Sequence, residues 1–227
     1  MKQKPTVLNV PDVPNDSLRA RKKRQTREEI AHVATALFVE RGFENVTIAE
    51  VAAAAGVAKM TVTNHFPLKE DLVFDRAEHI VRGLADVVAE RPEGQTVWEA
   101  ARRHHASALA AGDPTLGHLG VAFARMVEAS PALVVRERQI MDQREQALAD
   151  VLLAQAEPAD ELTARVVAAQ LAGVYQVLYF TARRLLLDGL RGSEMTETLG
   201  AVAQRAFALL AADLSGFDPR PRLRSTS

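Results

Sequence analysis

The chain has no cysteine, which excludes a disulfide framework, a thiolate metal site and a cysteine nucleophile. Aromatic residues are scarce at 5%, with a single tryptophan and two tyrosines. No apolar run is long enough to cross a membrane. The longest uncharged stretch, Val166–Ala182, includes Gln170, Gly173, Gln176 and Thr181, and falls short of the roughly 20 apolar residues a span requires. It reads as a buried helix. Residues 1–25 carry Pro5, Pro11 and Pro14 and lack the apolar region of a signal peptide, so a soluble, cytoplasmic protein is expected. Lysine is absent after position 69.

What is present is a globular composition over 227 residues, 48% hydrophobic and 25% charged, enough to bury a substantial core. The net charge of −1 hides an asymmetry. Residues 1–69 hold 11 Lys+Arg against 7 Asp+Glu, and the remainder 17 against 22. A basic head on an acidic body points to a polyanionic partner for the head.

The periodicity is helical throughout, with no sustained alternation, so the fold is expected to be all-α with about nine helices. Residues 1–20 read as a mobile tail. A first helix is expected to open at the Thr26/Glu29 pair, which has the form of a capping box, and to stop at Gly42. A second opens at Thr47, with Glu50 three residues on. A third runs over about 58–65 and ends before Pro67. A fourth spans about 69–90. Five more follow at about 95–111, 115–129, 132–156, 160–188 and 194–215, separated by Pro- and Gly-containing breaks. The division is then a head at 21–72, a body at 73–216 and a tail at 217–227.

The stretch from Thr47 to Phe66 is the most informative. Two short helices meet at a tight turn containing Gly56, which takes a left-handed conformation without steric cost. Ala52 sits where the helices must approach closely, and Val57 and Val62 hold the second against the first. This is the spacing of a helix-turn-helix, whose second helix enters the DNA major groove. Its outward positions are Lys59, Met60, Thr61, Thr63, Asn64 and His65. Asn reads adenine bidentately, Lys reaches guanine or phosphate, and Thr bonds phosphate or packs on thymine. The competing reading is a helical hairpin in a small-molecule-binding or scaffold protein that never touches DNA.

Residues 26–72 resemble the DNA-binding region of the tetracycline-repressor (TetR) family of bacterial transcription regulators. The resemblance rests on Ala36-Leu37-Phe38, Arg41-Gly42-Phe43, Thr47, Ile48, Ala52, Gly56-Val57-Ala58-Lys59, Thr61, Phe66, Pro67, Lys69-Glu70 and Leu72. It implies a homodimer on a double-stranded, palindromic operator, released by a small-molecule effector bound in the C-terminal body. By matched position it implies Thr47 and Lys69 at phosphates, and Lys59, Thr61 and Asn64 at bases or phosphates. The chain departs from the family pattern at Thr63 and His65, where aromatic residues are usual, and at Leu68, which removes a cap from the fourth helix.

The basic run holding Arg21, Lys22 and Arg24 is expected to contact DNA as an arm in a minor groove or along the backbone. Adjacent His104 and His105 point about 100° apart on one helix and do not converge on a metal ion. Without a nucleophile motif, a phosphate loop or paired carboxylates at a recognisable spacing, an enzyme reading has little support, and no cofactor is expected. For the effector pocket the candidates are Trp98, Phe123, Met126, Met141 and Tyr179 as apolar lining, with His105, Gln170 and Tyr175 as polar handles; the same residues also fit plain core packing. The 160–188 helix is apolar on two faces, Val166/Ala169/Gly173/Val177/Phe180 and Ala168/Leu171/Ala172/Leu178/Leu186. With Leu199, Val202, Ala206, Leu209 and Leu210 of the last helix, this points to a homodimer built as an intermolecular four-helix bundle.

Overall fold

The computed structural model describes residues 18–117, 119–156 and 161–214. Within them lie nine α-helices and no strand: α1 (Leu18–Arg41), α2 (Ile48–Ala54), α3 (Lys59–His65), α4 (Ala77–Ala89), α5 (Val97–Ala110), α6 (Val121–Ala129), α7 (Pro131–Gln155), α8 (Glu161–Leu187) and α9 (Gly192–Leu214). Two 3₁₀ turns, Lys69–Leu72 and Pro114–Leu116, precede α4 and α6. Of the expected mobile tail at 1–20, residues 1–17 lie outside the described residues, as does the tail at 217–227, whereas 18–20 belong to α1.

Three boundaries differ from expectation for physical reasons. α1 begins by Leu18, so Thr26 is interior to the helix and caps nothing. No Gly or Pro interrupts 18–41, Arg and Lys are good helix formers, and Gln25 reaches Glu29 one turn on at 2.9 Å. The fourth helix starts at Ala77, not near Lys69. Val73 and Phe74 are pulled into the apolar core, 3% and 6% exposed, and the chain turns there before α4 begins. The helix expected over 115–129 is split, because Gly117 (φ +96°) and Gly120 (φ +131°) hold left-handed backbone before α6.

Gly117 is required by contact as well as by φ. A Cβ there would lie 2.5 Å from the Tyr179 carbonyl oxygen of α8, so the 3₁₀ turn rests directly on that helix.

The head packs Ile30, Ala34, Phe38, Val51, Val62, Phe66 and Leu72 into one cluster that also contains Met126 and Val127 of α6 and Leu133 and Ile140 of α7. A second cluster joins α4, α5, α7, α8 and α9 around Leu84, Leu148, Leu152, Leu171 and Phe207. Two polar ties link head and body. Arg136 of α7 donates to Asp71 through Nη2 and Nε, at 2.8 and 3.0 Å. The Ser130 hydroxyl donates to Glu44 at 2.7 Å and accepts the Leu133 N–H, capping α7.

α8 buries Ala168, Leu171, Ala172, Leu178 and Leu186 within its own chain. Its other face stays open, with Val166 and Val177 46% and 58% exposed beside a groove formed by Gly173, Gln176, Phe180, Thr181 and Arg184. On α9, Leu209 is 76% exposed, whereas Leu199 is 2% exposed and packs inside the chain, so it does not share that open face. No helix among the described residues is long and apolar enough to cross a membrane.

His105 is buried on α5, edge-on to Tyr175 and Phe207 at 5.7 and 5.9 Å. Burial, with His104 beside it, depresses its pKa from 6.5 to about 4. Its folded value lies below the unfolded one, so its contribution is fully present above pH 6.5 and is lost as pH falls through 4. At about 1.4 kcal/mol per pH unit this amounts to roughly 3 kcal/mol. Chemical unfolding followed from pH 7.5 to 4.5 should show that loss, and His105→Leu should flatten the profile.

Candidate nucleic-acid interface and ligand crevice

The helix-turn-helix forms as its residues dictate. Thr47 and Glu50 make a full capping box. The Thr47 N–H donates to Glu50 Oε2 at 2.8 Å, and the Glu50 N–H returns to Thr47 Oγ1 at 3.2 Å. The Thr47 N–H and the Thr47 hydroxyl, both donated to the Glu50 carboxylate, hold it below its usual range. Gly56 (φ +65°) makes the turn, and the Val57 N–H closes it on the Ala52 carbonyl at 3.0 Å. Ala52 and Val62, 3% and 0% exposed, form the contact between α2 and α3.

This leaves Lys59, Met60 and Asn64 exposed on α3, with Thr61, Thr63 and His65 half-buried beside them. The Thr63 hydroxyl bonds back to the Met60 carbonyl at 3.1 Å, so it is partly spent within its own helix. His65 titrates below 6.5 through burial and the nearby Lys23 and Arg27 cations. Lys23 therefore comes near the C-terminal end of α3. Arg21, Lys22 and Arg24 are exposed on the first turns of α1, so the basic run is helical.

Two cations play roles that sequence patterning does not separate from DNA contact. Lys69 donates from Nζ to the Phe43 carbonyl at 2.6 Å and sits over the Phe43 and Phe38 rings, 4.2 and 5.6 Å from their centroids. It ties the loop after α1 to the 3₁₀ turn, with donors to spare for a phosphate. Arg27 has no motif around it that marks it out in the sequence. It donates to the His65 carbonyl, lies 4.1 Å over the Phe66 ring, and reaches the Asp75 carbonyl at 3.4 Å. It fastens the C-terminus of α3 to α1 and to the segment entering α4. The Leu68 departure is compensated from within: the Asp71 carboxylate accepts the Leu68 N–H at 3.2 Å, opening the 3₁₀ turn.

In the body, two adjoining hollows share Ile80 and Thr115 as a common wall. The first, about 60 Å³, is lined by Phe74, Leu119, Phe123 and Tyr179 together with the connector residues 73–77. The second, about 30 Å³, is lined by His79, His104, Asp113, Arg144 and Tyr175. Of the expected pocket residues, Phe123 and Tyr179 line the first and Tyr175 the second. His105 instead faces a groove of about 500 Å³ between α5 and α9. Trp98, Met126, Met141 and Gln170 line none of these spaces. Trp98 packs edge-on against Phe207 at 5.0 Å, Met126 belongs to the head cluster, and Met141 is buried on α7. Trp98, Met126 and Met141 follow the core-packing reading, and Gln170 is half-buried on α8.

Around the crevice run two polar systems. Tyr179 donates to Glu137 at 2.8 Å, and Arg183 pairs with both oxygens of the same carboxylate. Tyr175 donates to the Ala101 carbonyl at 2.7 Å, so the His104 Nδ1, 2.9 Å from the Tyr175 oxygen, must carry a proton and donate to it. Burial, then the nearby His79, lowers the His104 pKa, which leaves the ring neutral with that tautomer. Among the described residues no three His, Asp or Glu side chains are grouped to hold a metal ion.

Residues 30–75 match the family described as bacterial regulatory proteins, tetR family. The chain is 28% identical over 155 residues to the HTH-type transcriptional regulator TcmR of Streptomyces glaucescens, an alignment covering 66% of this chain and 68% of that one. It is 36% identical over 64 residues to the HTH-type transcriptional repressor KstR2 of Rhodococcus jostii, covering 28% of this chain but only 29% of that relative. In fold it is similar to the crystal structure of a TetR-family transcriptional regulator from Mesorhizobium loti, with a TM-score of 0.51 at 19% identity over 84% of this chain and 97% of the other.

Lys69→Ala should have a double signature. DNA affinity should fall, and its salt dependence should become shallower by about one unit of log–log slope for each phosphate that Lys69 neutralises. The melting temperature should fall too, because the Phe43 carbonyl loses its charged donor. Arg27→Ala should destabilise the protein by roughly 1–3 kcal/mol in thermal or urea unfolding. The motif match, the helix-turn-helix built at residues 47–66 and the all-helical fold agree, and residues 30–75 carry the DNA-binding region of the tetR family of bacterial regulatory proteins.

Proposed function

We propose that this TetR-family regulator is a cytoplasmic repressor that binds an inverted-repeat operator as a homodimer and is released by a small, largely apolar ligand. The head at 21–72 holds the DNA-contacting residues, and the body at 73–216 holds the ligand and dimer surfaces. Lys59, Met60, Thr61, Thr63, Asn64 and His65 face the major groove. Thr47, Lys69 and the α1 residues Arg21, Lys22 and Arg24 face phosphates. The dimer forms through the open faces of α8 and α9, where Val166, Val177 and Leu209 lie exposed.

The observation that carries the regulatory part is the lining of the first hollow. Its wall includes Val73, Phe74, Asp75, Arg76 and Ala77, the connector from the 3₁₀ turn to α4. A ligand seated there touches the joint itself. Phe74 meets Phe123 edge-on at 6.5 Å, so filling the space between them displaces the connector against α6. By linkage, the ligand releases DNA only if it binds the non-DNA-binding arrangement more tightly, and DNA then weakens the ligand by the same factor.

Selection from random DNA with the purified protein should return a sequence with dyad symmetry. Two recognition helices related by a two-fold axis enter successive major grooves about 34–36 Å apart. Sedimentation at micromolar concentration should give a dimer. Asn64→Ala should relax the selected sequence at one position per half-site, at a cost of about 1–3 kcal/mol there. An unchanged motif would remove Asn64 from base reading, and asymmetric sites bound by a monomer would remove the dimer mechanism.

A further inference from the structure

The second hollow has a feature that an apolar ligand alone leaves unused. Arg144 of α7 is 5% exposed and lines this space. Among the described residues, its Nη2 reaches only the Ala172 carbonyl, at 3.4 Å, and its Nε has no hydrogen-bond partner. Its guanidinium lies 5.6 Å from the Tyr175 ring centroid. Among the described residues, the groups that act on its charge are the Tyr175 and Tyr179 hydroxyls, with no carboxylate among them.

The neighbouring acids are committed elsewhere. Glu137, one heptad earlier on α7, is taken by Arg183 and Tyr179. Asp113 shares the wall of the second hollow but accepts the N–H and hydroxyl of Thr115 at 2.9 and 2.7 Å and lies 3.5 Å from His79. Asp75 lines only the first hollow. Burial depresses the Arg144 pKa to about 10, which leaves it protonated at neutral pH. A buried cation without an anion is costly, and a planar guanidinium is matched in geometry by a carboxylate.

Resting on the reading of this crevice as the effector site, we infer that the effector is an organic monoanion whose acidic group is bound by Arg144 and whose apolar part lies toward Ile80, Phe74 and Phe123. The acid, a carboxylate or an ionised phenol or enol, enters the hollow between α4, α5 and α7. The apolar part continues past Ile80 and Thr115 into the first hollow, against the connector. The ligand thus neutralises the body's uncompensated charge at one end and displaces the head's joint at the other.

The test uses matched pairs of one skeleton, each as the acid and as its primary amide: phenylacetate with phenylacetamide, 2-naphthoate with 2-naphthamide, octanoate with octanamide. Binding to the full-length protein is measured by ligand-observed NMR titration at constant ionic strength, with sodium acetate as the control for a bare anion. Wild-type protein should prefer the acid over its amide by about tenfold or more. In Arg144→Gln that preference should shrink to within about twofold, with the amides' affinity unchanged, and Arg144→Lys should restore part of it. Equal binding of acid and amide to wild-type protein would overturn the inference without recourse to any variant, as would a preference that survives in folded Arg144→Gln. Acetate competing as well as the larger acids would also overturn it, by reducing the site to one for a bare ion. If neither acids nor amides bind at all, it is the effector reading of the crevice that fails.

Discussion

The apolar cluster of the head is not closed by the head. Phe38, Phe66 and Leu72, each fully buried, share their cluster with Met126, Val127, Leu133 and Ile140, which belong to α6 and α7. One long and two short helices bury too little surface to be firmly folded alone, and here the α6–α7 corner supplies the missing wall. The position of α3 is therefore set by packing against the body as well as by the chain connection through 73–77. Packed interfaces have discrete arrangements more readily than continuous ones, so a shift of α6 against α4 reaches the helix-turn-helix as a whole. The Asp71–Arg136 and Glu44–Ser130 contacts cross the same boundary and define its register.

α7 is the axis of this arrangement. Its inward stripe of Leu133, Glu137, Ile140, Arg144, Leu148 and Leu152 is buried along its whole length and carries two opposite charges seven residues apart. They do not neutralise each other. Glu137 is matched by Arg183 from α8, while Arg144 faces the hollow below Tyr175. One helix thus delivers a closed ion pair beside the head and an open cation deeper in the body.

Much of the fold was legible because its punctuation is local. Gly42, Gly56, the Thr47/Glu50 box and Pro67 act on their own neighbours, and the structure places turns and caps at each of them. What escaped was decided by distant contacts. Lys69 and Arg27 look like surface cations until Phe43, Phe66 and the two carbonyls they reach are brought in from other segments. The break before α4 came from burial of Val73 and Phe74, not from any helix-breaking residue. Of the eight expected pocket residues, Phe123, Tyr175 and Tyr179 line a hollow, His105 lines the α5–α9 groove, and Trp98, Met126, Met141 and Gln170 line none of these spaces, because large apolar side chains serve a core and a cavity wall alike. Arg144 carried a readable signal: an arginine falling at a core position of a helical stripe whose one other charge is Glu137.

α1 extends well past its own packing. Its first buried residue is Ile30, although the helix begins at Leu18. At about 1.5 Å per residue, the part before Ile30 is roughly 18 Å of helix that carries Arg19, Arg21, Lys22, Lys23 and Arg24 and is held to the end of α3 through Arg27. A disordered arm wraps its partner but loses conformational entropy when it is ordered. A rod surrenders far less, and its charges stand at intervals fixed by the helical repeat. Its reach is therefore a matter of direction rather than length: the angle at which α1 leaves the head decides which surface those five cations can follow.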